Sequence, residues 1–96
     1  MILHTLNRSP ATSRVYQQTL DAMASEDRLL LIEDGVQGAL PSLSPLFGEL
    51  SGRLYVLQED VISRGLEERC DPSIHVVNVD GFVLLTEEAD KIVSWF

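Results

Sequence analysis

The amino-acid sequence predicts an α/β fold: a single three-layer α/β/α sandwich built on a mainly parallel sheet of about five strands. Apolar segments of strand length alternate with segments whose apolar residues recur at helical spacing. Such alternation is typical of right-handed crossovers between parallel strands. The run Leu29–Ile32 is apolar throughout, as in a strand covered on both faces. With 96 residues, we expect one domain over residues 1–96, flavodoxin-like in general style.

The first strand is predicted at Met1–Leu6, and the first helix follows it. Ser9 can accept a hydrogen bond from an unpaired amide, and Pro10 suits the first position of a helix. These two residues predict a helix from Pro10 to about Ala24. The spacing of the apolar residues predicts one stripe of this helix formed by Tyr16, Leu20 and Met23.

The second strand, Leu29–Ile32, is followed by Asp34, which is placed to cap a short helix over Val36–Leu40. The stretch Pro41–Gly52 has two prolines and no clear period. A further short helix is expected within it at Pro45–Leu50.

The third strand is predicted at Arg53–Leu57, and a helix follows at Glu59–Arg64. Acidic residues in the first turn of that helix complement its dipole. Gly65 suits the left-handed position after the helix, and Leu66 can fold back on Val61 as in a Schellman motif.

The last part of the chain predicts a strand at Ser73–Val79, a helix near Gly81–Glu88 capped by Asp80, and a final strand at Lys91–Trp95. The spacing predicts Phe82, Leu85 and Ala89 on one side of this helix.

Composition excludes several function classes. Seven basic and fifteen acidic residues give a net charge of −8, which argues against direct binding of the nucleic-acid backbone. No apolar run is long enough to span a bilayer, and the N-terminal residues lack the basic and apolar regions of a signal peptide. One cysteine cannot form an internal disulfide, and Cys/His metal spacing is absent. We therefore expect a cytoplasmic protein without a cofactor.

Acidic residues gather where ligands usually bind in such a sheet, beyond the carboxyl ends of the strands. Hard cations such as Mg²⁺ prefer oxygen ligands, so a small regulatory domain with a magnesium site is one interpretation. Helix capping and dipole compensation form the other interpretation, which we favour. The carboxylates concerned are Glu33, Asp34, Glu59, Asp60 and Asp80.

Three residues could in principle carry catalysis. His4 and His75 lie within predicted strands, without an evident Ser/Cys–His–Asp set. Cys70 is expected at the amino edge of the sheet, beyond a helix C-terminus that raises the pKa of a thiol. We therefore judge Cys70 non-catalytic, although a stand-alone sulfur carrier that uses Cys70 stays an alternative.

Four separated blocks, in order along the chain, resemble the TusB/DsrH sulfur-relay family of the DsrE-like group, and the TusB branch most closely. The blocks are Leu3–Pro10, Leu29–Val36, Tyr55–Leu66 and Trp95–Phe96. The resemblance implies a DsrE-like fold and a complex with TusC-like and TusD-like subunits, arranged as a dimer of heterotrimers. Such a complex passes persulfide sulfur toward 2-thiolation of the wobble uridine of certain tRNAs. The DsrE, DsrF and DsrH proteins of sulfur-oxidising bacteria form the equivalent assembly.

The sequence departs from the sulfur-carrying members of that group. TusD-like relatives carry sulfur on a cysteine near the junction of strand three and the next helix, where this chain has Leu57–Glu59. DsrH-like members can carry a cysteine in the first helix region, but Pro10–Ala24 has none. The resemblance therefore implies a non-catalytic subunit that serves assembly and partner binding.

A subunit of a permanent complex is expected to expose apolar residues when it is alone. Two segments could supply them, Leu40–Leu50 and Ile92–Phe96; ordinary packing against the core is an alternative for each. The candidate interface residues are Leu43, Leu46, Phe47, Trp95 and Phe96.

Overall fold

The computed structural model describes all residues from Met1 to Phe96 and has a five-stranded sheet at its centre. All four strand pairings are parallel, and the strand order is β4-β3-β2-β1-β5. The strands are β1 (Ile2–Leu6), β2 (Arg28–Leu31), β3 (Leu54–Leu57), β4 (His75–Val77) and β5 (Lys91–Trp95). The α-helices are α1 (Val15–Ala22), α2 (Gln58–Ser63) and α3 (Val79–Glu88), and 3-10 helices lie at Glu33–Ala39 and Ser44–Leu50.

The order of the strands explains the layers. From β1 to β4, each connection moves one strand in the same direction, whereas the connection through α3 returns to β5 beside β1. Because parallel crossovers are right-handed, a change of direction moves the connecting helix to the opposite face of the sheet. We call the face covered by α1, α2 and the 3-10 helices the major face, and the face covered by α3 alone the minor face.

The two faces bury very different numbers of residues. The major face holds a cluster of 12 buried residues, among them Leu29, Leu31 and Val56. The minor face holds only three, Leu3, Leu30 and Leu85. The predicted α/β/α sandwich is confirmed, but one of its outer layers is a single helix. None of the three α-helices is long and apolar enough to cross a membrane.

The first helix begins five residues later than predicted. Ser9 is buried, and its hydroxyl accepts from the N–H of Ala11 at 3.1 Å. Its carbonyl accepts from the N–H groups of Thr12 and Ser13, so Ser9 organises a turn and not a helix start. The helix begins only at Val15. The predicted stripe is confirmed, because Tyr16, Leu20 and Met23 share one side, and the structure shows that this side packs against the major-face core.

Two predicted helix caps are wrong. Asp34 caps nothing, because its carboxylate pairs with the guanidinium of Arg64 at 3.1 Å. The last helix begins at Val79, and the side chain of Asn78 is its cap, accepting from the N–H of Gly81 at 2.9 Å. Asp80 instead lies in the first turn, where its charge complements the helix dipole.

The predicted end of α2 is confirmed. Gly65 has φ of 67°, and its N–H donates to the carbonyl of Ile62 at 3.0 Å. The N–H of Leu66 donates to the carbonyl of Val61 at 3.0 Å, and both side chains belong to the major-face core. These two hydrogen bonds and this apolar contact form the Schellman motif.

The strand predictions differ most at β4. The predicted Ser73–Val79 is reduced to three residues, because Ser73 joins a turn with Asp71 and Val79 belongs to α3. The final strand is confirmed at Lys91–Trp95. The predicted grouping on one side of α3 is also confirmed, and this side faces the sheet, since Leu85 is buried and both Phe82 and Ala89 pack beside it.

Candidate functional site

The carboxyl ends of the strands meet at one edge of the sheet, which we call the carboxyl edge. Four of the five predicted carboxylates there are engaged by the chain itself. Glu33 accepts from the side-chain amide of Asn7 at 3.4 Å, and Asp34 pairs with Arg64. Asp60 accepts from the N–H of Glu33 at 2.6 Å. No three His, Cys, Asp or Glu residues come together in a group that could hold a metal ion. The carboxylates thus join neighbouring strand ends, and the magnesium interpretation gains no support.

Glu59 has a further structural role at this edge. Its side chain lies in the first turn of α2 and accepts from the N–H of Val79 at 3.2 Å. Val79 is the first residue of α3, where main-chain N–H groups have no partner within the helix. Glu59, in α2, therefore stabilises the start of α3 through a hydrogen bond across 20 residues of sequence. Sequence spacing did not indicate this contact.

The turn after β2 is tightly packed against β1. Glu33 has φ of 50°, the left-handed region that side chains other than glycine rarely adopt. A Cβ atom on Gly35 would collide with the carbonyl oxygen of Leu6, so only glycine fits there. The carboxyl edge is thus occupied by main chain and ion pairs. The two cavities of the molecule lie elsewhere, one at the amino ends of β3 and β4 and one between α1 and the second 3-10 helix.

The position at which TusD-like relatives are expected to carry sulfur lies at this edge. The structure places Leu57 at the end of β3 and Gln58 at the start of α2, so Leu57–Glu59 is the strand–helix junction that the sequence indicated. No cysteine is present at this junction or in α1. The neighbouring carboxylates of Glu59 and Asp60 would disfavour a thiolate there.

Cys70 lies at the opposite, amino edge of the sheet, as predicted. It precedes β4, and the N–H of the next residue, Asp71, donates to the carbonyl of Ala39. The thiol packs against the major-face core and donates to the carbonyl of Leu66 at 3.4 Å. Burial raises the pKa of the thiol. The sequence pointed to the dipole at the end of the preceding helix as a cause of the raised pKa, whereas the structure shows burial as the cause.

A shallow cleft lies on the same amino edge. Its volume is about 190 Å³, and its lining includes Phe47, Asp71 and Ile74. Pockets for small molecules usually measure about 300–1,000 Å³. The cleft is therefore smaller than a usual small-molecule site, and Cys70 is not among the residues that line it.

His4 belongs to a buried network that includes one residue the sequence reading missed, Asp27. The indole N–H of Trp95 donates to Nδ1 of His4 at 3.0 Å. The proton of a neutral imidazole then lies on Nε2, which is 3.1 Å from the carboxylate of Asp27. Asp27 also accepts from the N–H groups of Ile2 at 3.0 Å and Ala24 at 2.9 Å. The network joins β1, β5 and the turn before β2, and no nucleophilic side chain takes part in it.

The charge on Asp27 is well supported despite its burial. Burial alone would raise the pKa of this carboxyl. Hydrogen bonds from the N–H groups of Ala24 and Ile2 and from His4 outweigh burial and lower the pKa below its ordinary value of 3.8.

The other histidine, His75, is exposed and lies against the ring of Tyr55, with 5.1 Å between ring centroids. Neither histidine is hydrogen-bonded to a serine, threonine or cysteine side chain.

The five candidate interface residues differ in exposure. Leu46 is exposed and Phe96 is 76% exposed, whereas Leu43 and Trp95 are partly buried. Phe47 is buried in the major-face core against the ring of Tyr16, so it adds no apolar surface to the isolated chain. Leu46 lines an open groove of about 600 Å³ between α1 and the second 3-10 helix.

Comparison with known proteins gives a consistent result. The family described as DsrH like protein matches residues 8–92. Protein TusB of Erwinia tasmaniensis is 35% identical over 96 residues, covering 98% of this chain and 100% of the relative. The TusB proteins of Serratia proteamaculans and Escherichia coli O1:K1 are 38% and 33% identical, with the same coverage.

A solved structure supports the fold independently. The crystal structure of the ychN protein from E. coli superposes with a TM-score of 0.77, covers 97% of each chain and shares 17% sequence identity. That likeness concerns the fold alone. The full-length sequence similarity goes further, and it shows that this chain belongs to the TusB/DsrH family of sulfur-relay proteins.

Proposed function

We propose that this chain is a non-catalytic subunit of a cytoplasmic sulfur-relay assembly with TusC-like and TusD-like partners, arranged as a dimer of heterotrimers. The assembly would pass persulfide sulfur toward 2-thiolation of the wobble uridine of tRNA. Family membership supports a role in sulfur relay. The partial burial of the single thiol, Cys70, supports the non-catalytic role.

The observation that carries the proposal is the chemistry of Cys70. Persulfide transfer needs a thiolate as the attacking group, and a reactive cysteine usually lies in an electropositive, accessible environment. Cys70 is partly buried, donates to a carbonyl oxygen and has a raised pKa, and each of these favours the protonated thiol. The sulfur would therefore be carried by a partner subunit.

The charge of the chain supports a division of labour within the assembly. A net charge of −8 repels the phosphate backbone, so a tRNA substrate would be held by other subunits. This subunit would contribute contacts between proteins instead, with Leu46 and Phe96 as exposed candidates.

The proposal is tested by reconstituting the chain with its TusC-like and TusD-like partners and a persulfide donor. We expect the Cys70→Ser variant to retain sulfur transfer at close to the wild-type rate. A matched variant that removes the cysteine of the TusD-like partner is expected to abolish transfer. A persulfide on Cys70 in mass spectra, together with loss of transfer in Cys70→Ser, would instead show that this chain carries sulfur.

A further inference from the structure

The outer side of α3 is unusually apolar for a helix that has no layer above it. Val79, Val83 and Leu84 are 50%, 46% and 58% exposed, although the opposite side of the helix already packs on the sheet. Outward positions of a surface helix are normally polar or charged. Because one side of α3 packs on the sheet and the other side also exposes apolar residues, the exposed side indicates a second contact surface.

The outward residues form an ordered pattern along the helix. Positions 80, 83, 84 and 87 have the i, i+3, i+4, i+7 spacing of one helix face. Two apolar residues lie in the middle of this face, with an exposed carboxylate at each end. We call these residues the outer stripe of α3: Asp80, Val83, Leu84 and Glu87.

The outer stripe lies on a helix that is fixed at both ends. At its start, the N–H of Val79 donates to Glu59, and Asn78 caps the first turn. At its end, Glu88 pairs with Arg28 of β2 at 3.0 Å. A helix held in this way presents its side chains in one orientation, which lowers the ordering cost of binding.

We propose that the outer stripe is the docking surface for a partner subunit whose own surface carries an apolar patch between two basic side chains. The helical rise of 1.5 Å per residue separates Asp80 from Glu87 by about 10 Å, so the two basic side chains would have a similar separation. This inference rests on the proposed function, because it assigns one surface of the chain to an assembly partner.

A second copy of this chain is a poor occupant of the same surface. If two α3 helices packed antiparallel about a two-fold axis between Val83 and Leu84, Asp80 of each copy would face Glu87 of the other. Parallel packing would place Asp80 against Asp80 and Glu87 against Glu87. Both arrangements oppose like charges, which weakens association.

The chain also lacks a cation on the outer stripe that could relieve this repulsion. Arg28, the basic residue that reaches α3, is engaged by Glu88 and lies over the ring of Tyr55. A basic partner surface satisfies both carboxylates, whereas a second copy satisfies neither.

The apolar part of the inference is tested with Leu84→Glu in the chain reconstituted with its TusC-like and TusD-like partners. Ile62→Glu is the matched control, because Ile62 is also helical, is 53% exposed and lies on the major-face side of the sheet. We expect Leu84→Glu to weaken partner binding at least about tenfold, as at a binding hot spot, and Ile62→Glu to have little effect. Circular dichroism establishes that both variants fold.

The charged part is tested with Glu87→Lys. The control is Glu67→Lys, which makes the same change in net charge at an exposed turn position away from α3. We expect only Glu87→Lys to weaken partner binding and to reduce its salt dependence. Normal binding by the Leu84 and Glu87 variants, or equal losses in the controls, would overturn the docking surface while leaving the proposed function intact. Failure of the wild-type chain to bind the partners would overturn both.

Discussion

The buried acceptor Asp27 makes the sharpest prediction about stability. Replacing Asp27 by Ala leaves three donors without their acceptor: the N–H groups of Ile2 and Ala24, and Nε2 of His4. A buried donor without a partner costs about 1–3 kcal/mol. The hydrogen bonds of the two amides are only partly buried, so we expect a total loss of about 3–5 kcal/mol. Small domains have about 5–15 kcal/mol of stability, so much of this margin would disappear.

Asp27→Asn separates the acceptor chemistry from the packing, because the side chain keeps its shape. An asparagine retains only one acceptor oxygen. Its NH₂ group would face N–H donors that meet a carboxylate oxygen in the wild type, so donor would oppose donor. The His4 proton cannot move to Nδ1 without opposing the indole N–H of Trp95. We therefore expect Asp27→Asn to lose at least about 2 kcal/mol, which lowers the melting temperature by roughly 8 °C or more.

The assay is urea unfolding followed by circular dichroism and by the fluorescence of the single tryptophan, Trp95. Asp21→Asn, on the exposed side of α1, is the control for a change of one charge. A loss below about 0.5 kcal/mol in Asp27→Asn would refute the reasoning, because surface substitutions commonly produce changes of that size.

Acid should weaken the same network. The pKa of Asp27 is lower in the folded chain, so the unfolded chain binds its proton more tightly. The stability from this ionisation is present above about pH 4, the ordinary range of an aspartate, and is lost as the pH falls through the folded pKa. The difference in unfolding free energy between wild type and Asp27→Asn should therefore shrink on acidification. A difference that stays constant from neutral pH to pH 3 would show that the ionised carboxylate is not its source.

Further predictions concern the turn after β2, the thiol, RNA binding and the exposed segments. Gly35→Ala should destabilise the chain by more than 2 kcal/mol, roughly the cost of overpacking, whereas Gly48→Ala, which meets no neighbour, should not; equal melting temperatures would contradict the close packing at Gly35. Cys70 should react with iodoacetamide more slowly than free cysteine at pH 8, since burial raises its pKa; an equal rate would contradict this. The isolated chain should show no measurable tRNA binding at physiological salt, and a filter-binding titration with micromolar affinity would refute this. On assembly, Leu40–Leu50 or Ile92–Phe96 should gain protection from hydrogen exchange, and no gain in either would remove both from the interface.

The order and type of the main elements could be predicted from sequence because their signals are local. The continuous run of β2 and the Gly65–Leu66 pair at the end of α2 each lie within a few residues, and both are confirmed. The predicted start of α1 was wrong because Ser9 and Pro10 favour a tight turn as well as a helix start. Their local signal does not distinguish the two structures. Asn78 and Asp80 are both good N-caps by residue type, and only the position of β4 decides between them.

The site was less predictable because its contacts join distant parts of the chain. The sequence reading placed no role on Asp27, whose partner His4 is 23 residues away, and Trp95 lies 91 residues from His4. Polar residues at strand ends were correctly placed at one edge, but the ion pair of Asp34 with Arg64 could not be told from a cap without coordinates. Long-range polar contacts depend on the register between strands, which sequence periodicity does not supply.

The junction between β3 and α2 connects the two proposals. A thiolate at the start of a helix is stabilised by unpaired main-chain N–H groups, and this is the chemistry expected of a sulfur carrier. Here the same first turn carries Glu59, whose carboxylate instead reaches the N–H of Val79 and holds the beginning of α3. A carboxylate in that place disfavours a neighbouring thiolate and stabilises the helix that bears the outer stripe. The residues at this junction therefore support both proposals. They disfavour sulfur carriage by this chain, and they stabilise the α3 helix that a partner would bind.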